Sequence, residues 1–132
     1  MALVVNNTAE GIMLDYILNK DVPEELSIRL YSNDYSPIET DTVGSYTEVT
    51  GGGYAAQSLT PGNWTVVTGA PSAADHTVIT WTFSASVGNV YGYYITRDTG
   101  GELMWAERFT NGPFNIANNG DQISVTPRIT LE

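Results

Sequence analysis

From Pro23 onward the chain alternates apolar and polar residues with a period of two, in short runs cut off by Gly, Pro, Asn and Asp. Such runs are half-buried strands joined by tight turns, and nothing between them has the length of a helical crossover that a parallel sheet needs. Leu26, Ile28 and Leu30 share one face of the first run, with Ser27, Arg29 and Tyr31 on the other. Two short strands, Tyr46 to Val49 and Tyr54 to Leu59, are predicted on either side of Gly51-Gly52-Gly53, a stretch that fits a turn or bulge. Pro61-Gly62 turns the chain into a strand with Trp64 and Val66 inward.

The clearest alternation is Val78 to Phe83, where Ile79, Trp81 and Phe83 point one way, and it predicts a central strand. Val90 to Thr96 follows a Gly88-Asn89 turn, and Asp98-Thr99-Gly100-Gly101 supplies the next hairpin. Beyond it, Leu103, Trp105 and Phe109 share one parity. A last strand runs from Asp121 toward Leu131, interrupted by Pro127, which cannot donate to a ladder and so marks an edge or a bulge. Roughly eight or nine strands at this spacing predict a mainly β fold, an antiparallel β-sandwich or jelly-roll-like barrel.

One helix precedes the strands. Asn7 or Thr8 serves as its cap, Glu10 lies in its first turn, and Ile12, Met13, Tyr16 and Ile17 recur at helical spacing, which predicts a helix over 8–19. Lys20 suits its C-terminal dipole, and Pro23 stands just past the stop. Leu14 and Leu18 widen the apolar stripe, so the helix is expected to be buried on more than one side, plugging an open end or face of the sheets. The organisation expected is a single domain over 1–132, with 1–6 an arm or a first strand, 8–19 the helix and 25–131 the sandwich.

Charge and composition narrow the chemistry. Fifteen acidic residues against five basic ones give a formal charge of −10, which repels a phosphate backbone, so no nucleic-acid partner is expected. Such acidity serves either solubility or steering toward a basic surface. With no cysteine there are no disulfides, thiolate metal sites or cysteine nucleophiles. The opening Met1-Ala2-Leu3-Val4-Val5-Asn6-Asn7 predicts neither a secretory signal nor a membrane span, and no membrane association is expected.

His76, the only histidine, reads as a loop or strand-start residue, and no Gly-x-Ser-x-Gly elbow accompanies it. Two carboxylates for glycoside cleavage need no fixed sequence spacing, so Glu102 with Glu107, or Glu39 with Asp41, are pairs to examine. They read as solvated acids at turns and strand ends. Arg29 and Arg108 suit ion pairs on polar faces. Asn33-Asp34 and Asn118-Asn119-Gly120-Asp121 offer hard oxygen atoms but lack the spaced acids of a calcium loop, and read as turns. The expectation is therefore a protein that is not an enzyme and uses no metal or cofactor.

Aromatic residues are the remaining signal. Trp64, Trp81 and Trp105 fall on inward parities, whereas Tyr31, Tyr35, Tyr46, Tyr54, Tyr93 and Tyr94 outnumber the places a core of this size offers. Exposed tyrosine suits protein interfaces and sugar-binding faces alike. The expected interface comprises Tyr31, Tyr35, Tyr46 and Tyr54, with Leu3, Val4 and Val5 either in the domain's own first strand or on an arm that adds a strand to a neighbour.

The segments Met1 to Asn7, Arg29-Leu30-Tyr31-Ser32-Asn33-Asp34, Gly53-Tyr54-Ala55-Ala56, Asn63-Trp64-Thr65-Val66, Val90-Tyr91-Gly92-Tyr93-Tyr94 and Leu103-Met104-Trp105-Ala106-Glu107-Arg108-Phe109 together resemble small virion proteins of tailed phages, those of cyanobacterial phages included. The resemblance spans nearly the whole chain, and its motifs are structural, not chemical. It implies a capsid cement or decoration protein: a β-rich module made in the host cytoplasm that docks on the outer surface of the head. There it would bind the major capsid protein, bridge neighbouring subunits and stabilise the shell, most simply as a dimer or trimer. A receptor- or glycan-binding module of a tail fibre or spike is the alternative, with the same tyrosines stacked on sugars.

Overall fold

The computed structural model describes residues 3–131, and these form a mainly β, antiparallel, sandwich-like fold with one helix. Its centre is a five-stranded sheet in the order β1 (Val4–Val5), β9 (Leu103–Arg108), β8 (Gly92–Arg97), β2 (Leu26–Tyr31), β3 (Gln57–Leu59). Three smaller ribbons form the facing layer. They pair β11 (Gln122–Val125) with β6 (Ile79–Thr82), β10 (Phe114–Ile116) with β7 (Gly88–Val90), and β12 (Arg128–Leu131) with β5 (Ser72–His76) and β4 (Trp64–Val67). The sheets do not close on each other, so of the two expected architectures the sandwich is the one adopted, with twelve strands among the described residues in place of eight or nine.

Every residue of β8 is buried, because both faces of the large sheet are covered. On one face Ile28, Leu30, Tyr93, Ile95 and Trp105 meet Ile79, Trp81, Phe83, Ile123 and Val125 of the ribbons. On the other, Tyr31, Tyr94, Leu103 and Ala106 form a smaller core with Tyr46, which sits in the long connection from Ser32 to Thr50. That connection wraps back over the sheet with only a single bridge, Tyr31 to Glu48, where a strand over 46–49 was predicted. The predicted strand 54–59 is shortened to β3, while Gly51, Gly52 and Gly53 all take positive φ and make the turn read from their sequence.

Other departures have similar causes. Ile79, Trp81 and Phe83 are buried as expected, but β6 is not central. It ladders only with β11; on its other side the indole of Trp81 donates to Ala55 O (2.9 Å) and Gln57 Nε2 donates to Thr80 O (3.0 Å). Gly88-Asn89, read as a turn, lies in β7; the chain crosses from the ribbon layer to the main sheet at Tyr91, so the run from Val90 to Thr96 is two strands. Trp64 reaches the core, whereas Val66 is exposed because β4 is the outer strand of its ribbon and extends past the core. Pro127 splits the last run into β11 and β12, each an edge of its ribbon, as its missing N–H requires.

The helix α1 spans Asn7–Ile17, and its cap is Asn6, one residue before the pair expected. Asn6 Oδ1 accepts from Ala9 N (2.9 Å), and its Nδ2 donates to Asp41 O (3.0 Å), so one buried side chain both starts the helix and ties it to the Ser32–Thr50 connection. Asn19, at φ +56°, breaks the helix in the left-handed region. Ala9, Ile12 and Met13 pack against the larger core. Leu14 and Leu18 do not, so burial on more than one side is not found, and Ile17, expected in the same stripe as Ile12 and Met13, is exposed with them because it lies at the helix's last turn on the side turned from the sheets.

Candidate functional site

The expected tyrosine interface is largely internal. Tyr31 is fully buried and Tyr46 nearly so; they meet edge-on at 5.1 Å between ring centroids, and Tyr46 stacks on Tyr94 at 5.0 Å. The cluster closes on Asp41, a buried carboxylate that accepts from the hydroxyls of Tyr35 (2.5 Å) and Tyr46 (2.7 Å) and from Ile38 N (2.9 Å). Burial alone would raise the pKa of Asp41, but these hydrogen bonds outweigh it and hold the carboxyl below its usual range. Burial pushes the phenols of Tyr31 and Tyr46 up, and for Tyr46 the bond to Asp41 adds to the shift. Half-buried Tyr54 belongs to a different group: it stacks near Trp81, donates to Glu48 (3.0 Å) and accepts from Leu30 N (3.0 Å). Of the four tyrosines, the fold joins Tyr31, Tyr35 and Tyr46, and it joins them as a polar core in place of an outer face.

The carboxylates examined for catalysis are separately engaged. Glu102 pairs with Arg97 (3.3 Å), while Glu107 accepts from the Tyr93 hydroxyl (2.8 Å). Asp41 is committed to its tyrosines, and Glu39 stands exposed. His76 closes β5 instead of preceding a strand; it is buried edge-on against Trp64, with Nδ1–H donating to Thr77 O (2.8 Å). Asp121 accepts from Ala117 N and Asn118 N, which makes the 118–121 stretch a side-chain-closed turn. Among the described residues no helix is long and apolar enough to cross a membrane.

What the fold leaves outward is aliphatic. Leu14, Ile17, Leu18 and Val22 are 59, 78, 65 and 76 % exposed. At helical spacing Leu14, Ile17 and Leu18 lie on one side of α1, with Glu10 one turn before them, and Val22 follows in the exit. Glu10 also borders a groove of about 650 Å³ between the open edge of β1 and the segment 37–40. Leu3, Val4 and Val5, expected at an interface, are half-buried on its wall; β1 pairs with β9, so Val4 and Val5 form a strand of the domain's own sheet with Leu3 just before it, while Met1 and Ala2 lie outside the described residues. Glu10 thus stands both at the head of the helix stripe and on the groove. Sequence reasoning took that stripe as buried because periodicity gives the angle between two apolar stripes without saying which of them meets a neighbour.

Around the groove the charge is acidic, from Glu10 and Glu39, while Lys20, between Leu18 and Val22, is paired with Asp15. All five basic side chains are already in ion pairs: Lys20 with Asp15, Arg29 with Glu48, Arg97 with Asp21, Glu24 and Glu102, Arg108 with Asp34, and Arg128 with Asp75. No such partner reaches Glu10 or Glu39 among the described residues. Against this geometry, comparison with protein-family models, with characterised proteins and with solved structures finds no match.

Proposed function

We propose that the chain is a structural protein of a tailed-phage virion, a capsid cement or decoration module that binds the major capsid protein on the outer surface of the head and stabilises the shell. The observation that carries this is the exposed stripe Leu14, Ile17, Leu18 and Val22 on a helix whose opposite side is anchored in the core. Aliphatics grouped on one side of a surface helix, on a chain of net charge −10, serve contact with another macromolecule. The virion assignment itself comes from the sequence resemblance, which supplies the class of partner. Many copies docked on a repeating shell need only a modest interface each.

The partner surface should be apolar at its centre with Lys or Arg around it, since this face has acids at its border and the net charge is −10. Burial of Tyr31 and Tyr46 takes two of the four expected rings away from a sugar-stacking face, which favours protein contact over the glycan-binding alternative. For the same reason a dimer or trimer is not needed to cover those rings.

The test is co-sedimentation of the chain with expanded heads of the phage that encodes it, alongside the temperature at which those heads release DNA. Binding, with a higher release temperature, is expected. Ile17→Lys combined with Leu18→Lys should abolish both effects. A chain that purifies only with tails would refute the assignment.

A further inference from the structure

The groove beside β1 has the features of a strand acceptor. β1 lies at one end of the five-stranded sheet and, among the described residues, ladders with β9 alone. Of two successive residues in a strand, one turns its N–H and C=O toward the neighbour and the other turns them away. The outward pair on β1 has no backbone partner among the described residues, although the 37–40 segment runs close by and Glu39 O accepts from Asn7 N (2.9 Å) at the groove's end. Apolar side chains stand on both sides, Val4 and Val5 on one and Pro37 and exposed Ile38 on the other, and Glu10, Glu39 and Thr40 make the rest of the lining polar. The rim carries Glu10 and Glu39, both exposed and both without a cation among the described residues.

We propose that this groove takes an extended segment of the partner protein, which adds a strand antiparallel or parallel to β1, sets alternate apolar side chains between Val4, Val5 and Ile38, and places Lys or Arg against Glu10 and Glu39. A second copy of this chain is a poor occupant. Its five basic side chains are all paired already, and two copies at −10 each repel. The ladder supplies affinity without sequence preference, and the unpaired acids supply the choice of a basic strand over an acidic one. The inference rests on the proposal that the chain works by contact with a protein partner, but its test does not pass through that partner.

The probe is a pair of capped octapeptides alternating Val with Lys or Val with Glu, titrated at millimolar concentration into the 15N-labelled full chain. The Val-Lys peptide should shift the amides of Val4, Val5 and residues 38–40, and the Val-Glu peptide should leave them unmoved. Glu10→Gln and Glu39→Gln lie on the surface and leave the fold intact; each should weaken Val-Lys binding about two- to fivefold, and raised salt should do the same. Replacing the central Val-Lys pair of the peptide by Pro-Pro should abolish binding, since proline cannot complete a ladder. Equal binding of the two peptides, shifts centred elsewhere, or no binding at all would overturn the groove assignment. Heads that bind a chain whose groove takes no peptide would leave the virion role standing without it, and peptide binding by a chain that ignores heads would do the reverse.

Discussion

Asp41 is the residue on which the covered face of the main sheet turns. It is buried, it accepts two phenolic hydroxyls and a backbone N–H, and its backbone carbonyl receives the Asn6 amide that caps α1. Its folded pKa lies below the ordinary carboxylate value of about 3.9, so the stability it confers is present above that value and is lost as pH falls through the folded pKa. Asp41→Asn keeps the size but offers one poor acceptor in place of two charged ones, and should cost about 1–3 kcal/mol at neutral pH. Denaturant titrations at pH 7 and pH 3 check this: the gap between wild type and variant should narrow at the lower pH. A gap that stays constant would mean that the carboxylate's charge contributes nothing.

Elements show how far local pattern reaches. The alternation of Ile79, Trp81 and Phe83, the Gly51–Gly53 turn and the hairpin at Asp98–Gly101 are local facts, and all three hold in the fold. Tyr31 was placed on a polar face with Ser27 and Arg29, which is right as parity, yet that face is covered by the Ser32–Thr50 connection. A segment that crosses a sheet without laddering carries no period, so its cover is invisible until the tertiary fold is known. Gly92 answers to a different constraint: a Cβ there would collide with Glu107 O of β9 and come within 2.6 Å of the Tyr31 hydroxyl of β2, so its two neighbouring strands in the main sheet require the glycine. The limit of local pattern also hid the contact face, since Leu14 and Leu18 read as core and face outward. The corresponding prediction is that Ile17→Lys with Leu18→Lys changes unfolding free energy by no more than about 0.5 kcal/mol per site, as for exposed positions generally, while head binding is lost. A large drop in chemical stability would return that stripe to the core.

At the scale of the whole molecule, the burial of tyrosine sets an alkaline limit. Burial raises the pKa of Tyr31, Tyr46, Tyr54 and Tyr93 well above the ordinary value, and pushes Tyr94 up to about 12. Glu107 and Glu48, beside Tyr93 and Tyr54, oppose a phenolate further. A group whose folded pKa lies above its unfolded one contributes stability below the unfolded value, here near 10, and withdraws it as pH rises beyond. Several such rings, spread over both faces of β8 and β2, titrate against one cooperative unfolding event. Tyrosinate absorbance should therefore rise steeply, more sharply than a single ionisation, and in step with loss of the β-sheet circular dichroism somewhat above pH 10. The two signals need to be followed on one sample. A gradual phenolate titration centred near 10 with the sheet signal intact would mean that these rings reach solvent without unfolding, and the tyrosine core around Asp41 would then be a surface after all.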